Sequence, residues 1–209
     1  IQSLPIELTA YICEFVSEQD DGLSIRCLSL VSTHLYDISE PYLFRRVTVT
    51  GAAQISAFAE RLKLIQPGRR KIRDLFLADS PLITKALEPI CAPDNAQLSR
   101  NISQILTYAS PHITSLAAHL HSQRGPSLIA RILRTSMPYL QSLTVSGLYP
   151  FPSSSSYFPR LKSLHLDGNR NPFGLLTMAG LEEAFPCLTS LSVTGIESIA
   201  FAFEVEAVI

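Results

Sequence analysis

One phrase recurs four times in this chain, as Pro111-His-Ile-Thr-Ser-Leu116, Pro138-Tyr-Leu-Gln-Ser-Leu143, Pro159-Arg-Leu-Lys-Ser-Leu164 and Pro186-Cys-Leu-Thr-Ser-Leu191. The prolines of this P-x-(I/L)-x-S-L pattern lie 27, 21 and 27 residues apart, and three copies continue alike into Val145-Ser-Gly147, Leu166-Asp-Gly168 and Val193-Thr-Gly195. A repeat at this interval means that one small structural unit is stacked several times, because a single unit cannot bury its own apolar face. Within the unit, alternating apolar residues predict a short strand, the leading Pro ends the preceding helix and opens the strand where no N–H donor is needed, and the Gly turns the chain out of the strand. Weaker copies at Phe44-x-x-Val47-x-Val49 and Ile72-x-x-Leu75-x-Leu77 bring the number of units to about six.

Between the strands the apolar spacing becomes helical. The groups are Ile55, Phe58, Leu62 and Ile65, then Leu98, Ile102, Ile105 and Ala109, then Leu128, Ile129, Ile132 and Leu133, and last Leu176, Leu181, Ala184 and Phe185. Pro and Ser crowd residues 146–157, which reads as an exposed loop, and Pro81, Pro89 and Pro93 mark 81–95 as a second insertion. The L-x-x-L-x-L spacing of Leu161, Leu164 and Leu166, followed by Asn169, resembles the leucine-rich repeat. The fold class expected for residues 47–209 is therefore α/β, an irregular solenoid with a curved parallel sheet. The alternation of Phe201, Phe203 and Val205 with polar or small neighbours predicts a last strand, and further repeats are expected beyond Ile209.

Residues 1–46 follow a different rule. Pro5 suits the first turn of a helix and Glu7 complements its positive end. Leu4, Leu8, Ile12 and Phe15 recur at spacings that line one side, with Ser17 to Gly22 as the turn out. Leu23, Cys27, Leu30 and Val31 can share a face of a second helix, and Ser32 can cap a third that ends at Pro41. Three helices in about forty residues make a thin core that usually needs another polypeptide.

The segments Leu4-Pro5-x-Glu7-Leu8, Ile12-x-x-Phe15-Val16, Leu28-x-x-Val31-Ser32-x-x-Leu35 and Leu43-Phe44-Arg45-Arg46-Val47 resemble an F-box followed by the short tail of fungal F-box proteins. The resemblance covers residues 3–47. It implies a three-helix module docking a Skp-type adaptor, and through it a cullin, in an SCF ubiquitin ligase. Leu4, Pro5, Leu8, Ile12, Val31 and Leu35 stand at the motif positions that build the helices and the adaptor face. On that reading the protein is a non-catalytic substrate receptor whose repeats bind an unidentified client. The alternatives are a helical cap on the repeats, within a protein-binding scaffold unrelated to ubiquitin, and, more remotely, an enzyme.

Net charge of −1 gives no electrostatic footprint for nucleic acid. No run approaches the roughly 20 apolar residues of a membrane span. Cys13, Cys27, Cys91 and Cys187 are scattered without metal-ligand spacing, which predicts a reduced intracellular protein of the cytoplasm or nucleus. No phosphate-loop, nucleophile-elbow or zinc-protease pattern occurs, so no catalytic residue, metal or cofactor is expected. His119 and His121 point to the same side of a strand but lack a third ligand in sequence. Arg69, Arg70, Lys71 and Arg73 form one basic cluster, read either as a solvated turn or as a candidate client-binding site for an acidic or phosphorylated segment.

Overall fold

The structure, a computed structural model, describes residues 4–20, 22–80, 95–122, 125–147, 158–167 and 185–195. Three short helices come first: α1 (Ile6–Gln19), α2 (Leu23–Ser29) and α3 (Thr33–Ser39). Then β1 (Arg46–Thr50), α4 (Gly51–Leu64), β2 (Asp74–Ala78), α5 (Asn95–Ala109), β3 (Ser115–His119), α6 (Gly125–Arg134), β4 (Ser142–Ser146), β5 (Ser163–Asp167) and β6 (Ser190–Thr194) follow. The six strands form one open, all-parallel sheet in sequence order, each paired with the next residue for residue. The fold is thus α/β.

Each expected strand lies where its repeat phrase placed it, and the register explains the phrase. Its Leu occupies the second strand position, so Val47, Leu75, Leu116, Leu143, Leu164 and Leu191 stand side by side in one row. Val49, Leu77, Ala118, Val145, Leu166 and Val193 form the second inward row, two residues on. Both rows join Ile55, Ile102, Ile105, Ile129 and Ile132 of the helices in one core. The repeated Ser falls on the opposite, outer face.

The repeated Pro does not open the strand. In the last three copies it follows Met137, Phe158 or Phe185, whose carbonyls accept from the N–H of Leu140, Leu161 or Leu188 three residues on; in the first, Pro111 follows Ser110 and the N–H of Ile113 donates to the Ala109 carbonyl. Pro with its fixed φ is suited to the second position of such a turn. The turn drops Met137, Phe158 and Phe185 into the core, where the two Phe rings stack with centroids 6.1 Å apart. Each strand is then entered through a shared acceptor. The carbonyl of Arg45 receives the N–H groups of Arg73 and Asp74, that of Arg73 those of Thr114 and Ser115, and the pattern continues through Thr114, Gln141 and Lys162, at 2.8–3.1 Å.

At the exit of β4, Gly147 has φ of 132°, and a Cβ there would stand 2.3 Å from the carbonyl oxygen of Leu120. The expected exposed loop at 146–157 starts later than its Ser content indicates, because Ser146 ends β4 and is buried, and Asn95, the last residue of the insertion at 81–95, begins α5; the rest of both segments, the helix carrying Leu176 and Leu181 and the strand at 199–209 lie outside the described residues.

Leu143 is wholly buried in the middle of its row. Leu143→Ala is expected to lower stability by about 2–5 kcal/mol through lost contacts and the cavity left behind. Gly147→Ala should cost about 1–3 kcal/mol by backbone strain, and exposed Lys162→Ala less than about 0.5 kcal/mol. Urea denaturation of the three variants checks that order.

Candidate functional site

Helix α1 turns its small residues inward. Thr9, Cys13 and Ser17 are its buried positions, spaced four apart, and burial pushes the Cys13 thiol up. The Thr9 hydroxyl donates to the Pro5 carbonyl at 3.2 Å and that of Ser17 to the Glu14 carbonyl at 2.7 Å, so this face hides no unpaired hydroxyl. Cys13 meets Ile25 of α2 and Ile38 of α3, with Ala10, Leu28, Tyr42 and Leu43 around them. This cluster is separate from the core under the sheet.

Helical periodicity puts Leu4, Leu8, Tyr11, Ile12 and Phe15 on the other side of α1, and all five are exposed. Leu30 and Val31, after α2, are exposed as well. Of the twelve exposed large hydrophobic residues among those described, ten fall within residues 4–36. Scattered singly such residues mean little, but a concentration of them on one small module marks an interaction surface.

Five of the six residues matching the docking motif are therefore accessible: Leu4, Pro5, Leu8 (52% exposed), Ile12 (44%) and Val31 (69%). Leu35 is not. Its N–H donates to the Ser32 hydroxyl oxygen, as the expected cap requires, and its side chain is 5% exposed, so it supports α3 from within and offers no contact. One further expectation needs correction. α1 runs to Gln19, through half of the expected turn, because Glu14 and Glu18 are held from outside the helix. In α2 the buried positions are Ile25 and Ser29, while Leu23, Cys27, Leu30 and Val31 face solvent.

What holds Glu14 and Glu18 is Arg45. Its guanidinium is 7% exposed as a residue and reaches Glu14 Oε1 at 2.9 Å and Glu18 Oε1 at 3.1 Å. Beside it, Arg46 donates to the Glu18 carbonyl at 2.7 Å and to Asp74 Oδ2 at 2.9 Å. These contacts fasten α1 to the first two strands.

The basic cluster separates into two kinds of residue. Arg69 pairs with Glu40. Arg70 lies over the Tyr108 ring, 4.2 Å from its centroid, and donates to the carbonyls of Ile65 and Lys63. Only Lys71 and Arg73 are exposed without such a role, so a four-residue anion clamp is not assembled.

On the outer sheet face, small side chains dominate: Ser115, Ser142, Ser163 and Ser190 in one row, and Thr48, Ala117, Thr144 and Ser192 in the next. Phe76 interrupts them, its ring 5.0 Å from that of His119, beside a depression of about 300 Å³ bounded by Arg46, Asp74 and Ser115. At the carboxyl ends of the strands the Ser146 hydroxyl, 2% exposed, donates to Asp167 Oδ2 at 2.9 Å and lies 3.2 Å from His121 Nε2. Thr194 donates to Asp167 Oδ1 at 2.8 Å. The hydroxyls of Thr194 and Ser146 hold the Asp167 carboxyl below its usual value. Burial, reinforced by His121, pulls the His119 imidazole down.

Sequence reading missed Ser146, His165 and Asp167 as companions of the two histidines. The signal was present: aligning the repeats brings the fifth strand residues, His119, Ser146, Asp167 and Thr194, side by side. The hydroxyl stands between imidazole and carboxylate, with its proton directed at Asp167. Among the described residues no group of three His, Cys, Asp or Glu is placed to hold a metal ion, and no helix is long and apolar enough to cross a membrane. No protein-family model matches the chain, and no curated protein matches it in sequence.

His119 gives a pH test. Its folded pKa lies below the unfolded value of about 6.5, so the unfolded chain binds more protons as pH falls through that value and stability drops. The urea midpoint should decrease from pH 7.5 to 5.5, and by less in His119→Asn.

Proposed function

We propose that this chain is a non-catalytic adaptor of the F-box type, whose helices α1–α3 dock a Skp-type adaptor of a cullin-RING ubiquitin ligase while the stacked strand units behind them, of leucine-rich-repeat type, hold a client protein. The single observation that carries the reading is the uncovered apolar side of α1, where Leu4, Leu8, Ile12 and Phe15 face solvent. A helix that merely capped the repeats would bury that stripe and expose its small polar residues. Here Thr9, Cys13 and Ser17 are inside and the large apolar residues are outside. The Leu-Pro-x-Glu-Leu opening and the Val31-Ser32 pair supply the resemblance that names the partner.

Ubiquitin transfer then needs no reacting group from this chain. Holding ligase and client on one scaffold raises their effective concentration, and that alone accelerates transfer. The Arg45 rivet helps, because it limits the angles at which a docked adaptor is presented relative to the sheet.

A scaffold with no link to ubiquitin is the second reading, favoured by that same rivet, which would serve a cap equally well. The experiment that separates them is co-elution of the full chain with a purified Skp-type adaptor. Complex formation is expected. Leu8→Asp and Ile12→Asp, at exposed positions that leave the fold intact, should each weaken it by at least about thirtyfold, the scale of an interface hot spot. Lys162→Ala should have no effect. Absence of a complex with the unaltered chain would sink the ligase assignment and leave the scaffold.

A further inference from the structure

The His119–Asp167 cluster belongs neither to the docking face nor to the core, and its chemistry is specific. We propose that it is a subsite for an arginine side chain of the client. This rests on the reading of the outer sheet face as a client-binding surface, and it names what that surface selects at one point.

The geometry supplies the parts. Ser146 sits at the floor, buried, with His119 on one neighbouring strand and Asp167 on the other at the same register position. His165 precedes Asp167 by two residues and therefore shares its face. The carboxylate is fixed from below by Ser146 and from the side by Thr194, one donor to each oxygen. Each oxygen keeps its second lone pair for a partner. Because the only proton of Ser146 goes to Asp167, the contact with His121 has Nε2–H donating to the hydroxyl.

Charge points the same way. Asp79, whose Oδ2 accepts from the Ser122 N–H at 2.7 Å, adds a second carboxylate to the rim where the strands end. Among the described residues this rim carries no Lys or Arg; the exposed cations Lys71, Arg73 and Lys162 lie at the strand entries instead. A carboxylate held in place beside imidazole and phenyl ring faces suits a guanidinium, which is planar, donates in several directions and stacks on rings. A metal ion suits them less, since among the described residues no three ligating groups are placed to hold one.

The test uses the intact chain and reads the ring resonances of His119, His121 and His165 by NMR while Nα-acetylarginine amide is titrated in. Saturable shifts at millimolar ligand are expected, with the uncharged isostere Nα-acetylcitrulline amide at least tenfold weaker. Asp167→Asn should weaken the arginine response about tenfold. If that variant fails to fold, His121→Arg, which offers the cluster its own guanidinium, should reduce the response of the two remaining rings by a similar factor. Equal shifts from the citrulline compound, an undiminished response in the variant, or saturable shifts with Zn²⁺ only would each overturn the proposal. None of these depends on adaptor co-elution, so the two readings fail separately.

Discussion

The shared carbonyl at each strand entry is the contact from which the rest of the structure follows. By receiving two N–H groups from the next unit, it fixes where that unit begins to pair, and a strand begun one residue off would send its leucine to the outer face. Residue-for-residue pairing through all six strands is the result, and with it continuous rows. Two rows of aliphatic residues close on the helices. The others present hydroxyls, imidazoles and a few charges, so the same bond that buries the core also assembles the outer surface from residues far apart in sequence.

The first of these carbonyls belongs to Arg45, the residue whose side chain holds Glu14 and Glu18. Backbone and side chain of one residue thus connect the helical module to the sheet. A guanidinium so little exposed would be costly without its partners, and the two carboxylates, about half exposed, remain hydrated while they satisfy it. The arrangement explains how three short helices whose shared cluster is built on no more than Cys13, Ile25 and Ile38 can keep their large apolar residues in water: order is borrowed from β1. Burying those residues inward would make a better cap and remove the surface.

Strands were legible because their signal is redundant: six copies of one spacing fix both the existence and the phase of the sheet. The helices of the module were legible in existence only. Periodicity says that Leu8, Ile12 and Phe15 lie on one side of α1, yet hydrophobicity does not say whether that side meets this protein or another, and the inward side is marked only by the small residues Thr9, Cys13 and Ser17. Leu35 looked equivalent to Leu8 in the motif and differs by where the Ser32 cap aims its turn. The basic cluster is legible only as a run of charge. Arg69 and Arg70 are set apart from Lys71 and Arg73 by partners distant in sequence, Glu40 on one side and Tyr108 on the other, which no local spacing reveals.

Parallel stacking in sequence order also has a mechanical consequence. The module is fastened at β1, and the arginine subsite lies around β3 to β5, so two to four strand spacings, on the order of 10–20 Å, separate them. Those spacings are set by backbone hydrogen bonds and a close-packed core, which deform little. On the proposed reading, a client held at the far strands and an adaptor held at the module are therefore kept at a nearly constant separation, and the rigidity of the intervening sheet becomes the functional quantity. A cavity at Leu143, on the inner face of the strand that carries Ser146, would on that reading loosen client presentation without altering any outward side chain.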